Sequence, residues 1–203
     1  MSFKGFTKKD FETFSIDGLD ERMEAIQERI QPKFQAIGEE LAEDLSGMLG
    51  NEMFLHIARH ARRTKNPPES TWLALAENKR GYKKHPHFQV GLFDDHAFIW
   101  LAFINELEDK REIGQKFLSN IREIESIIPD DFVVSLDHTK NQSYAMEEID
   151  LKESLERFRD VKKSEFLVGR HIKLDDPNLK DGRKFLDIAQ NTFETVIPIY
   201  KMA

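Results

Sequence analysis

The residues with most chemistry to offer lie between His56 and His96. Two basic clusters stand there, His60-Ala61-Arg62-Arg63-Thr64-Lys65 and Lys79-Arg80-Gly81-Tyr82-Lys83-Lys84-His85. Arginine can grip a phosphate or carboxylate with two parallel hydrogen bonds, and lysine adds a point charge. Tyr82 could stack on a base, and Gly81 lets a backbone approach closely. Downstream, His87 and Gln89 lie two apart on a run that alternates apolar and polar residues. Their side chains therefore share one strand face and could hydrogen-bond a ligand together. The candidate ligand-binding set is Arg62, Arg63, Lys79, Arg80, Tyr82, Lys84, His85, His87 and Gln89. The competing reading is two solvated turns whose charges answer the acidic helices, since exposed ion pairs contribute little.

Metal chemistry fits this stretch poorly. His56 and His60 would stand about 13 Å apart on a strand, too far to share an ion. His85 and His87 can point the same way at roughly 6.5 Å between Cα atoms, but Lys83 and Lys84 make the place cation-rich. No metal is assigned. The carboxylate pairs Asp94-Asp95 and Asp175-Asp176 read as turn residues, the second beside Pro177. Trp72 and Trp100 read as core.

Charge distribution sharpens the picture. The chain carries a net −7, so as a whole it should not be drawn to nucleic acid or anionic lipid. From His56 to His85, eight Lys and Arg face only Glu69 and Glu77. That stretch is +6, which leaves −13 for the remainder.

Elements must position these residues. Leu19, Met23, Ile26, Ile30, Phe34, Ile37, Leu41 and Leu45 recur at helical spacing. Pro32 predicts two helices, the proline falling near the first turn of the second, and Gly50 stops the second. Four strands are expected next: Met53–Ile57, Thr71–Ala76, His87–Phe93 and His96–Phe103. The fourth is apolar on both faces and should be central. A helix over Asp109–Ile128, a strand over Phe132–Leu136 and a helix capped by Asp150 and Glu153 follow. A strand over Phe166–Ile172 and a last helix ended by Pro198 complete the chain.

Strands joined by short turns are antiparallel, and helices grouped before and after them indicate an α+β fold. The expectation is one domain over residues 1–203, a mostly antiparallel sheet with helices packed on one face and the other face open. In a meander the two basic loops fall at opposite ends of strands roughly 17–20 Å long. They would then flank a groove through His87 and Gln89 rather than merge into one pocket.

The chain has no cysteine, which excludes disulfides, thiolate zinc sites and cysteine nucleophiles. Phosphate-loop, dinucleotide, zincin, nucleophile-elbow and EF-hand patterns are all missing, and no cofactor is expected. The start lacks a signal-peptide core, and no 18-residue apolar run exists. The expectation is a cytoplasmic protein with no membrane partner, and sequence gives no oligomeric state.

The run Lys79-Arg80-Gly81-Tyr82-Lys83-Lys84-His85-Pro86-His87-Phe88-Gln89-Val90-Gly91-Leu92, then His96-Ala97-Phe98-Ile99-Trp100, carries a family resemblance. With His60-Ala61-Arg62-Arg63, Asn66-Pro67-Pro68 and Pro32-Lys33-Phe34, the chain resembles the YktB-like family of uncharacterised proteins from Bacillus and related Firmicutes. The resemblance implies an α+β fold, loosely associated with the antiparallel core of biotin–protein ligases and class II synthetases, whose ligands lie on the open sheet face. It carries over no catalytic residue. The function expected from the residues is binding of an anionic ligand (nucleotide, phosphorylated metabolite or nucleic-acid backbone) across a basic sheet face. An enzyme acting on a small phosphorylated or adenylated substrate, and a module docking an acidic protein, are the alternatives.

Overall fold

The computed structural model describes residues 3–203. A short helix, α1 (Lys8–Glu12), precedes the long helical stripe. That stripe forms α2 (Leu19–Ala25), one π-helical turn (Ile26–Ile30) and α3 (Gln31–Leu49), with Pro32 in the first turn of α3. Proline lacks an amide hydrogen and crowds the carbonyl four residues back. The wider turn immediately ahead lets the helical run continue past it. Gly50 ends α3 in the left-handed conformation at φ 75°, which only glycine adopts without penalty.

The strands are β1 (Phe54–Ile57), β2 (Thr71–Ala76), β3 (His87–Leu92), β4 (His96–Phe103), β5 (Val133–Ser135), β6 (Tyr144–Ala145) and β7 (Phe166–Lys173). They form one sheet in the order β1-β2-β3-β4-β7-β5-β6, with every pairing antiparallel. β4 is central and fully buried, as its two apolar faces predict. The pairing of β7 beside β4 could not be anticipated from sequence, and it matters below.

Three local expectations need correction. The helix expected over Asp109–Ile128 is two, α4 (Lys110–Ser119) and α5 (Ile121–Ile127). Asn120 breaks it: its side-chain amide donates to the Lys116 carbonyl, competing with the helical backbone. After α6 (Leu151–Asp160), capped by Asp150 accepting from the Glu153 amide, comes α7 (Gly182–Met202). Pro198 does not end α7. It sits on the exposed side of the last turns, where water can satisfy the freed carbonyl, while Val196, Ile197 and Ile199 stay packed in the core. Packing outweighs the proline penalty.

The third correction concerns the face expected to be open. The helices all join one apolar cluster on one face of the sheet, against Leu73, Leu75, Phe88, Val90, Ile99 and Val168. The opposite face carries a second cluster built on Phe93, Phe98, Trp100, Ala102, Ile104 and Leu167, with Trp72 and Val133 against it. No helix residue enters that cluster among the described residues. Loops cover this face instead, so it is closed without being helix-packed.

Candidate functional site

Strand alternation sets which side chains share the loop-covered face. The cross-strand row His56, Ala74, Gln89, Trp100, Gly169 lies on it, and so do Trp72, His87 and His171 two residues along their strands. His87 and Gln89 thus fall on one face, as expected, but both are buried. His87 Nδ1 bonds the His85 carbonyl at 2.8 Å and its Nε2 meets the Gln89 amide at 2.9 Å. A carbonyl can only accept, so Nδ1 carries the hydrogen and Nε2 accepts from Gln89. Burial, the dominant cause, pushes His87 down to about 3. The pair is satisfied internally beneath Tyr82, whose ring packs on His87 at 4.9 Å and on His56 at 5.6 Å.

The two basic loops begin at opposite sheet ends, as the meander requires. They do not stay apart. Trp72 Nε1 donates to the Tyr82 hydroxyl from the second loop at 3.1 Å, and His60 from the first packs edge-on against the same indole at 5.4 Å. Burial first, then Arg63 and Lys83, depress His60 to about 4, so cations of both loops act on one imidazole. Trp72 is therefore a half-buried hub, not simple core, and the expected groove through His87 and Gln89 is filled by aromatic rings.

Two of the eight cations in this stretch are ion-paired and a third is held by carbonyls. Lys83 pairs with Glu106 at 3.4 Å and Lys84 with Glu108 at 2.8 Å. Arg63 donates to the carbonyls of Asn66 and Pro67. The side chains of Arg62, Lys79 and Arg80 are exposed and make no hydrogen bond or ion pair among the described residues. A shallow cleft of about 430 Å³ lies along Arg80, Gly81, Tyr82, Lys84 and His85.

Two carboxylate–histidine pairs occupy the same face further on, and sequence reading singled out neither. Glu165, just ahead of β7, is buried and accepts from His138 Nδ1 at 2.7 Å, the His138 amide at 2.8 Å and the Asn105 amide at 3.2 Å. His138 also packs edge-on against Trp72 at 5.4 Å. Donor atoms of Asp137, His138 and Glu165 lie within 4.8 Å of one another. The second pair is Asp95 with His96, at 2.6 Å, in the β3–β4 turn. Asn141 steadies Asp95 from the loop after β5, at 2.9 Å. Asp95 is thus more than a turn residue. Asp176 does serve its turn, accepting from the Asn178 amide.

His96 stacks on His171 of β7, ring centroids 3.9 Å apart and planes 30° from parallel. Both Nε2 atoms are buried without a hydrogen-bond partner among the described residues. Burial dominates in both rings: it lowers His96 against the pull of Asp95, and holds His171 at about 3. Ser143 Oγ approaches His171 Nδ1 at 3.5 Å, the outer limit of a hydrogen bond. These residues wall a cleft of about 690 Å³, with Asn141, Lys173 and Asp175 at its rim. Stacked rings direct their in-plane lone pairs side by side, not at one point, so this histidine pair is a poor chelate. It suits hydrogen bonding instead. The Asp95–His96 adjacency was legible in sequence. The approach of His171 depends on the β4–β7 register and was not.

Fold and face define an α+β protein with one helix-packed sheet face and one loop-covered face rich in histidine and aromatic residues. The chain belongs to the family described as a domain of unknown function, DUF1054, whose model matches residues 6–200, in keeping with the resemblance drawn from residues 79–100. It is 60% identical over 203 residues to a UPF0637 protein of Shouchella clausii, covering 100% of this chain and 96% of the relative. A UPF0637 protein of Oceanobacillus iheyensis is 59% identical over 199 residues, covering 98% and 96%. One from Listeria monocytogenes is 56% identical over 201 residues, covering 99% and 98%. No helix among the described residues is long and apolar enough to cross a membrane.

Proposed function

We propose that this protein binds a small polar molecule in the cleft beside the β3–β4 turn, with His96 and His171 as its hydrogen-bonding pair. The observation that carries this reading is the two buried imidazole Nε2 atoms without partners. An unpaired buried polar group costs about 1–3 kcal/mol, so two of them hold a free energy that a bonded guest recovers. The chemistry of the guest follows from the tautomer. Asp95 can only accept, so His96 carries its hydrogen on Nδ1 and offers a bare lone pair at Nε2. The guest therefore presents an N–H or O–H donor.

A thermal-shift panel of polar metabolites, followed by nitrogen-detected imidazole NMR, tests this. Binding should raise the melting temperature and shift the His96 and His171 Nε2 signals. It should vanish in His96→Ala and persist in Arg80→Ala. Binding that survives both His96→Ala and His171→Ala sinks the assignment.

A second reading, an anionic ligand on the basic loops, is favoured by Arg62, Lys79 and Arg80, whose side chains have no internal partner among the described residues, and by the cleft at Arg80 to His85. The ion pairs of Lys83 and Lys84 count against it. Oligonucleotide binding with a steep salt slope, lost in Arg80→Ala, supports this reading for nucleic acid. No mobility shift at low salt removes nucleic acid as the ligand.

A further inference from the structure

Glu165 poses a separate problem. Its side chain is 2% exposed. It takes three N–H donors, from His138 twice and from Asn105, yet no Lys or Arg pairs with it among the described residues. The nearby Lys110 ammonium is engaged with the carbonyls of Val161, Lys162 and Ser164 at the end of α6. A buried carboxylate without a full counter-charge is expensive even when hydrogen-bonded.

We propose that Asp137, His138 and Glu165 form a binding site for a divalent transition-metal ion. One imidazole nitrogen and two carboxylates lie within 4.8 Å of one another, and both are donor types that zinc, manganese and ferrous ions accept. The Glu165 carboxylate already meets His138 Nδ1 at 2.7 Å; an ion replaces that hydrogen bond, and the two ligand atoms part to about 3.3 Å, the separation of two tetrahedral ligands. The supports of such a site are also in place. The Asn105 and His138 amides hold the two Glu165 oxygens, and the Thr139 amide and hydroxyl hold Asp137 Oδ1 at 2.9 and 2.6 Å. These are the orienting contacts that ligands need from their surroundings. Three protein ligands leave further positions to solvent or substrate, because Asp137 and His138 are only half-buried. In binding, the ion takes the Nδ1 lone pair in place of the hydrogen that faces Glu165, and the neutral ring carries its one hydrogen on Nε2 instead, so that tautomer change releases no net proton. This site is independent of the His96–His171 cleft, although one loop, residues 136–143, serves both.

The test is titration of chelator-treated full-length protein with cobalt(II) and then zinc(II). Cobalt should give visible ligand-field absorption at one ion per chain, displaced by zinc. It should also quench tryptophan fluorescence, because the Trp72 indole packs on His138 at 5.4 Å. Glu165→Gln keeps the side-chain shape and removes the charge, at the cost of one accepted hydrogen bond, and Asp137→Asn leaves the Glu165 bonds untouched. Each should weaken cobalt binding by at least about 100-fold while the far-UV circular dichroism stays native. Absence of ligand-field absorption at millimolar cobalt overturns the proposal. So does undiminished affinity in folded Glu165→Gln and Asp137→Asn.

Discussion

Acid should unfold this protein through its buried neutral histidines, and His87 gives the sharpest form of that expectation. Its two ring nitrogens are matched to the His85 carbonyl and the Gln89 amide only in the neutral form. A proton on Nε2 would face an amide N–H₂ group in a fully buried place. Burial therefore holds His87 at about 3, against 6.5 for the free side chain. Between those values the unfolded chain binds a proton that the folded chain refuses. Stability from this residue is complete above pH 6.5, falls as the pH drops and stops falling below about 3. One refused proton is worth about 1.4 kcal/mol per pH unit. From pH 6.5 to 5 the loss is about 2 kcal/mol, a sizeable part of a total of about 5–15 kcal/mol. Urea denaturation at pH 7, 6, 5 and 4 reads it directly. His87→Asn should flatten the acid limb by about 1.4 kcal/mol per pH unit relative to wild type. His171 and His60 supply the slope that remains. Identical limbs in the two proteins, or a His87 imidazole titrating near pH 6.5 by NMR, refute the reasoning.

Gly91→Ala should destabilise by about 1–3 kcal/mol in thermal melts, because a Cβ there meets the Phe98 ring and the Thr71 carbonyl. Tyr82→Phe removes the acceptor of the Trp72 indole and should cost about 1–3 kcal/mol, with a shift in tryptophan emission. Asp150→Ala should cost about 1 kcal/mol in chemical denaturation, the worth of an N-cap. Lys84→Ala should leave the melting temperature unchanged, since both ends of its ion pair are exposed.

Where sequence reading succeeded, the signal was local. β2 and β4 run over the residues that alternation and apolar content indicate, and Gly50 and Asp150 cap the helices they were expected to cap. Where it failed locally, a competing local bond or tertiary packing intervened, as at Asn120 and Pro198. The candidate site was legible only in part. His87 and Gln89 share a face as alternation demands, but their exposure depended on where the residue 77–86 loop would lie. His138 with Glu165, 27 residues apart, and His96 with His171, 75 apart, leave no trace in any window of sequence.

By itself the sequence determined the class of fold, the strands of the meander and the sidedness of their side chains, because period-two alternation and turn residues act within a few positions. It also determined that two basic loops leave opposite ends of that meander. Only the tertiary structure decided that both loops fold back onto Trp72, and that β7 comes to lie against β4. Those outcomes depend on burying aromatic surface that no helix among the described residues covers. Closing that face is what buried His87 and Gln89, brought His171 onto His96 and set His138 against Glu165.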